Sequence, residues 1–476
     1  MKLYNSLTRS KDEFVPLNPP HVGVYICGPT VYSHSHLGHG KTYVSFDVLV
    51  RYLRHLGFKV RYIQNITDVG HLTDDADSGE DKIERQARLE KLEPMEIAEK
   101  YARSYFRDMD ALGVLRPDVS PRASGHIPEQ IELVRTLLKN GHAYEVDGYV
   151  YYSVSSFPEY GKLSGRKPDE LIAGARVAVD RGKRDPRDFA LWKKAGPDHI
   201  LKWNSPWGWG YPGWHLECSA MSMRYIGDTL DIHGGGLENI FPHHESEIAQ
   251  SEGATGRQFV RFWLHNNMLT VDGQKMGKSL GNFKLLRDVF EKFQPMVVRL
   301  YILRSHYRSQ LDFTDEALES ARSGFHRLAA FRRRLGDAGV AEGGPSEEVE
   351  ALISSAETEF FKAMDDDLNT PGALAAIFDM VRAGNSLLDG GETPEDLSAL
   401  AGSMDLLAEE ILGLDLAGHS SSSESVEGLC HVLAETRGVL RKNRLFEAAD
   451  RMRDSLEGVG YTARDLPDGR SEITRK

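Results

Sequence analysis

The sequence predicts an α/β fold in which a parallel sheet is split by an insertion, followed by an α-helical bundle and a small C-terminal α+β module. Three observations predict it. The first 70 residues contain an apolar strand–helix–strand unit, a second α/β stretch follows a charged interlude, and helical periodicity then runs on to a tract of four serines.

Residues 22–26 read as a buried strand. After a glycine-proline loop, Phe46, Leu49, Leu53 and Leu56 recur at helical spacing until Gly57 stops them. Residues 60–66 form the next strand, and such a βαβ unit implies a parallel sheet with any ligand at the carboxyl ends of its strands. From residue 71 to about 200 the pattern changes to charged helices at 81–112 and 128–140, with short strands around 149–152. A helix at 213–225, a strand at 229–232, a helix at 243–252 and a strand at 259–265 resume the α/β pattern. Residues 270–282 read as a loop and nearly everything from there to 414 as helix. Residues 417–425, with serines at 420–423, read as a flexible linker before the terminal module.

With 476 residues the chain is too long for one core, and about three domains are expected. No apolar run approaches the ~18 residues of a membrane helix, and the first residues show no apolar signal core, so a cytoplasmic location without membrane contact is expected. Cys27, Cys218 and Cys430 are then free thiols, available as ligands or nucleophiles. A formal charge of -13 excludes a surface generally coated by nucleic acid but not a local basic strip.

Two segments end like a phosphate-binding P-loop, Gly40-Lys41-Thr42 and Gly277-Lys278-Ser279. Both lack the first glycine of that motif, because Ser35 and Asp272 stand in its place, which argues against a P-loop ATPase. His36-Leu37-Gly38-His39 lies where a loop enters a helix, beside N–H groups that favour anions. Gly38 would let a nucleotide approach the backbone, and His36 and His39 could donate to phosphate oxygens as charge builds in a transition state. Lys275 and Lys278 occupy a polar loop where two cations could close over a triphosphate.

Cys27 follows a strand, Cys218 lies in "GWHLECSAM", and His243 and Glu247 fall at i and i+4 on one helix face. Thiolates with imidazole suit zinc. Spacing leaves His244 with Glu247 open as an alternative, and Glu245 as a further carboxylate.

These motifs closely resemble the class I cysteinyl-tRNA synthetases: "CGPTVY" followed by "HLGHG", then "NITDVG", "GWHLECSAM", "DIHGGG" with "FPHHESEIAQSE", and "KMGKSLGNF". The resemblance extends over essentially the whole chain. It implies one zinc per chain held by Cys27, Cys218, His243 and Glu247, and so favours His243 over His244. It implies an amino-acid pocket lined by Gly28, Thr67 and Trp214. ATP with Mg2+ is expected at His36, Gly38, His39, His233, Gly235 and Lys278. His36, His39, Lys275 and Lys278 are the implied catalytic residues. Three departures are visible: Leu37 for the commoner isoleucine, Gly277 for the usual serine, and Glu238 for aspartate.

On this resemblance the domains are a Rossmann-like catalytic domain at 1–70 and 200–283, a connective insertion at 71–199, and a stem-contact-like helical region at 284–340. A helical bundle at 341–416 and an anticodon-binding module at 426–476 complete the chain. Between Arg437 and Arg453 six basic residues stand against Glu447 and Asp450. That strip implies an RNA partner, tRNA(Cys), with Arg441 and Asp450 matching base-contacting positions. The implied activity is ATP-dependent activation of cysteine and its transfer to the tRNA 3′ end, by a monomer. The rival readings are a mycothiol-type cysteine ligase and a catalytically inactive, zinc-containing RNA-binding relative.

Overall fold

The structure is a computed structural model that describes residues 1–72, 80–166, 182–277, 281–336, 343–391, 393–416, 433–434, 436–442, 445–458, 461–465 and 471–475. It forms two compact units, Met1–Leu414 and Asp415–Lys476.

The first unit is organised around a four-stranded parallel sheet. Its order is Val260–Asn266, Leu230–Gly236, His21–Ile26 and Lys59–Gln64. Val24 sits opposite Ile232 on one side and Tyr62 on the other, and all three are fully buried. A central parallel strand is covered on both faces, which is why this segment reads as continuous apolar sequence. The helix Leu37–His55 packs on the sheet through Phe46, whose ring leaves no room at Gly234: a Cβ there would lie 2.5 Å from the ring. Only glycine lets helix and strand approach this closely.

The N-terminal hairpin, Lys2–Asn5 with Ser10–Glu13, has no counterpart in the sequence reading. Asn5 fixes it to the sheet edge by donating to Arg261 O and accepting from Trp263 N. Helices Lys82–Glu90, Pro94–Ala111 and Ile127–Lys139 form where charged helices were expected. They accompany a five-stranded antiparallel sheet of order Ala143–Val146, Tyr149–Tyr152, Phe189–Lys194, Gly208–Pro212, Trp203–Ser205. Its last two strands lie beyond residue 199, where the sequence reading ended the insertion; the glycines and prolines of "WNSPWGWGYPG" mask their alternation.

Residues 270–282 are not simply a loop. Leu269–Val271 pairs in parallel with Leu311–Phe313 and antiparallel with Gln274–Lys275, so a small sheet interrupts the region read as helical. Strands of two or three residues are too short to carry a periodic signal. Beyond it run Pro295–Leu303, Asp315–Leu335, Glu347–Asp365, Thr370–Gly390 and Pro394–Met404. Thr314, Ser346, Asn369 and Thr393 cap four of these helices by accepting a backbone N–H three residues on.

The second unit contains the helix Phe446–Gly458 and an antiparallel hairpin, Tyr461–Asp465 with Ser471–Arg475. The expected linker and Cys430 lie outside the described residues. Among the described residues no helix is long and apolar enough to cross a membrane.

Candidate active site and metal cluster

The carboxyl ends of the sheet strands carry the site. Cys27 directly follows the strand His21–Ile26 and its N–H donates to Gly234 O at 2.9 Å. The next residue, Gly28, donates its N–H to Asn65 Oδ1 at 2.8 Å, and a Cβ on it would fall 1.6 Å from Asn65 O. No other residue fits so near a neighbouring backbone.

Cys27, Cys218, His243 and Glu247 come together with their potential ligand atoms all within 4.8 Å of one another. Cys27 Sγ lies 3.9 Å from Cys218 Sγ, and His243 Nε2 lies 3.0 Å from Glu247 Oε1. All four residues are buried. A second set, Cys27, His233, His244 and Glu247, shares two members and meets the same distance limit. His244 Nε2 is 3.2 Å from Cys27 Sγ, while its Nδ1 is engaged by His265 Nε2 at 2.8 Å and His265 Nδ1 by Ser6 Oγ at 2.8 Å. His243 is in turn met by His215, Nδ1 to Nδ1 at 2.9 Å.

Electrostatics favour a cation at this point. Burial pushes the Cys27 thiol up, and the neighbouring Cys27 sulfur and then burial push Cys218 well above the usual thiol range. Burial also disfavours the Glu247 carboxylate, but His233 and His243 outweigh it and hold that carboxyl at about 2. His243 shows the opposite balance, lowered by burial but drawn up to about 10 by Glu247 and Cys218. Two thiols and a carboxylate packed together in a dry pocket are the donor chemistry of a divalent site, with sulfur selecting a soft or borderline ion. His233 was expected at the adenylate. It is fully buried beside this cluster, with Nε2 2.8 Å from Glu247 Oε2. Gly235 lies two residues on in the same strand, Leu230–Gly236.

The two nucleotide-type motifs also meet. His36 caps the helix Leu37–His55 and forms a reciprocal capping box with His39, and the two rings stack with centroids 3.7 Å apart. Backbone bonds from Leu37 N to Lys284 O and from Leu286 N to Ser35 O fasten this entry to the far end of the lysine loop. Asn282 spans the loop's base, accepting from Gly277 N and donating to Lys275 O. Lys275 is exposed on the strand Gln274–Lys275; Lys278 lies outside the described residues. Lys41, the lysine of the first near-P-loop, is 1% exposed and donates to the carbonyls of Asn267 and Ser309. It braces two loops through these carbonyls.

Trp214 begins the helix Trp214–Tyr225 and stacks on His71, centroids 4.3 Å apart, while His71 Nδ1 lies 2.6 Å from Thr30 Oγ1. Thr67 Oγ1 donates to Glu217 Oε2 at 3.0 Å and accepts from Asn65 Nδ2 at 3.0 Å. Sequence reasoning singled out Thr67 and Trp214 but missed Asn65, His71 and Glu217, although Asn65 and Glu217 lie inside the quoted motifs "NITDVG" and "GWHLECSAM".

In the second unit the Arg441 guanidinium lies over the half-exposed Phe446 ring, 5.7 Å from its centroid. Asp450 pairs with Arg453 at 3.3 Å.

A family model described as the tRNA synthetases class I (C) catalytic domain matches residues 13–323, and a DALR domain model matches 359–417. A cysteine–tRNA ligase of Chlorobaculum tepidum is 52% identical over 489 residues, covering 100% of this chain and 99% of its own. A namesake from Thermus thermophilus is 51% identical over 471 residues, covering 98% of each. In fold, the chain is similar to the methionyl-tRNA synthetase of Mycobacterium tuberculosis bound by methionyl-adenylate, with a TM-score of 0.60 at 15% identity over 83% of this chain and 92% of that one. With the catalytic-domain model matching residues 13–323 and relatives alike from end to end, the chain belongs to the class I tRNA synthetases, in the cysteine–tRNA ligase family.

Proposed function

We propose that the chain activates cysteine with Mg-ATP and transfers it to the 3′-terminal ribose of tRNA(Cys), selecting cysteine with zinc held by Cys27, Cys218, His243 and Glu247. The observation that carries this reading is the convergence of two thiols, an imidazole and a carboxylate within 4.8 Å at the sheet edge shared with the His36–His39 helix entry. Zinc bound there supplies affinity for sulfur over oxygen, which separates cysteine from its near isostere serine.

The cysteine carboxylate attacks the α-phosphorus of ATP, and the bond to pyrophosphate breaks. A ribose hydroxyl then attacks the adenylate carbonyl, and AMP leaves. The chain's own groups act by position and charge. His36 and His39, with the helix N-terminus, meet the phosphates; Gly38 admits the nucleotide backbone-close; Lys275 and Lys278 offset charge on the leaving pyrophosphate. Gly28, Thr67 and Trp214 hold the amino acid. Arg441 and Asp450 read the anticodon from a terminal module at 426–476, reached through the stem-contact region 284–340 and the bundle 341–416. The reaction is carried out in the cytoplasm by a monomer.

The full-length likeness to cysteine–tRNA ligases favours neither the mycothiol-type ligase nor an inactive relative. The test joins zinc analysis to cysteine-dependent ATP–pyrophosphate exchange and tRNA charging. About one zinc per chain with both activities is expected; exchange without charging would instead favour the amino-sugar ligase.

A further inference from the structure

One carboxylate at a corner of the helical bundle holds a turn from which both nucleotide-type motifs are braced. Asp366, Asp367, Leu368 and Asn369 join the helices Glu347–Asp365 and Thr370–Gly390. Asp367 and Leu368 are consecutive non-glycine residues in the left-handed region, at φ +66° and +54°, a conformation that persists only where surrounding contacts impose it. Asp367 is fully buried and makes those contacts. Its Oδ1 accepts from Tyr307 Oη at 2.7 Å and from Tyr4 N at 2.8 Å, and its Oδ2 accepts from Arg308 Nε at 2.7 Å. Its carbonyl oxygen lies 2.9 Å from His306 Nε2, so each residue of the turn 306–308 is fastened to Asp367.

The turn supports two elements. Tyr307 O accepts from Asn267 N and Arg308 O from Asn267 Nδ2, each at 2.9 Å. Asn267 stands two residues before the strand Leu269–Val271, which pairs with Leu311–Phe313 and turns back into Gln274–Lys275. Ser309 O and Asn267 O receive the buried Lys41 ammonium, and Lys41 stands two residues after His39 in the helix Leu37–His55. The helix entry and the lysine strand therefore share one support, and that support is tied to Asp367.

Building on the cysteine-activation reading, we infer that Asp367 is a positioning residue for the ATP side of that reaction. It holds the turn 306–309 and through it places His36, His39 and Lys275 relative to one another, without touching substrate. Catalysis by position loses rate steeply with small displacements, so loosening this turn costs activation. The zinc ligands stand on other elements, Cys27 after the strand His21–Ile26 and the rest on the helices Trp214–Tyr225 and His243–Thr255, and are spared.

The experiment measures ATP–pyrophosphate exchange by the zinc-loaded full chain, with rates expressed per active site counted from the burst of adenylate formation. Asp367→Asn keeps the shape and removes the charge facing Arg308, and Tyr307→Phe deletes one hydroxyl. Lys11→Ala is the control, because it removes an exposed 2.6 Å ion pair to Asp366 at the same corner. Asp367→Asn is expected to lower kcat per site about tenfold or more and to raise the ATP KM about fivefold or more. Tyr307→Phe should move both constants in the same direction by about threefold or more. Zinc content and the cysteine KM should stay within about threefold, and Lys11→Ala within about twofold of the wild type throughout. A merely structural role predicts fewer active sites with normal constants in each, and that result overturns the assignment. A cysteine KM that rises as far as the ATP KM also overturns it, since the whole fold would then have loosened. If Asp367→Asn does not fold, Tyr307→Phe decides alone, and unchanged constants per site overturn the assignment. Absence of any cysteine-dependent exchange in the wild type would instead overturn the cysteine-activation reading.

Discussion

Asp47 and Arg299, 252 residues apart in sequence, form an ion pair with neither side chain exposed to solvent. Asp47 also accepts from Leu115 N and from Arg51 Nε, each at 2.8 Å, and Arg299 donates to the carbonyls of Leu412 and Leu112. Burial opposes the Asp47 charge, but Arg299 and Arg51 outweigh it and hold the carboxyl below its ordinary value. One pair thus ties the helix entered at His36 to the insertion, the helix Pro295–Leu303 and the end of the helical bundle. Arg299→Met leaves the buried Asp47 carboxylate with Arg51 as its one remaining cation and is expected to cost about 3–5 kcal/mol, whereas Asp47→Leu/Arg299→Met removes the buried carboxylate as well and costs less. Urea denaturation followed by tryptophan fluorescence checks the order of the midpoints; a double variant weaker than the single would contradict it.

The two overlapping ligand sets make opposite predictions. If Cys27, Cys218, His243 and Glu247 hold zinc, His243→Ala loses the metal. His244→Ala then keeps about one zinc per chain, because the tetrahedral set is intact. Metal analysis of the purified variants distinguishes them. Zinc retained by His243→Ala and lost by His244→Ala would move the ion to the other set.

Much of this was legible in the sequence because it is local. The strand read at 22–26 is His21–Ile26, and the helix read at 213–225 is Trp214–Tyr225, since apolar runs bounded by Gly or Pro carry their own periodicity. Cys27 and Cys218 could be paired in advance only by placing both at one sheet edge. Thr67 and Glu217 are 150 residues apart, and nothing local in either segment announces a bond between them. Lys41 misleads for a related reason: a lysine after glycine looks like a phosphate ligand until the fold supplies the carbonyls of Asn267 and Ser309 that bind it. His233 sits beside three glycines in a motif that suggests a nucleotide, and only the helix His243–Thr255 brings Glu247 to its imidazole.

Acid should weaken the insertion at a definable point. Lys100 at 2.5 Å, then Tyr101 and Gln86, bond the Glu90 carboxylate and hold its carboxyl at about 2, below the ordinary 4.5. The folded value lies below the unfolded one, so this contribution is complete above pH 4.5 and disappears as the pH falls from 4.5 towards 2. Nearby solvent screens the pair, so the loss amounts to about 1 kcal/mol. Glu90→Gln should therefore be less stable than the wild type at pH 7 and approach it near pH 3, measured by denaturant midpoints. A difference independent of pH would remove the charge from the account.

The proposed anticodon reading makes different predictions for two basic residues of the terminal module. The Arg441 guanidinium lies over Phe446, 5.7 Å from the ring centroid, and a guanidinium carries the planar N–H fork that bidentate contact with a base requires. Lys442 is exposed and carries a point charge suited to a phosphate. Asp450 pairs with Arg453, both partly exposed, and such a pair is weak enough to exchange for a base. Arg441→Ala should cost about 1–3 kcal/mol of affinity for tRNA(Cys) and relax discrimination against an altered anticodon. Lys442→Ala should weaken cognate and altered tRNA alike and reduce the salt dependence of binding by about one charge. Both should leave cysteine-dependent ATP–pyrophosphate exchange intact, because that step needs no tRNA. Charging kinetics on cognate and anticodon-substituted transcripts at two salt concentrations test the pair. Equal losses on both transcripts for Arg441→Ala would make it a backbone contact and leave the anticodon to be read by other residues.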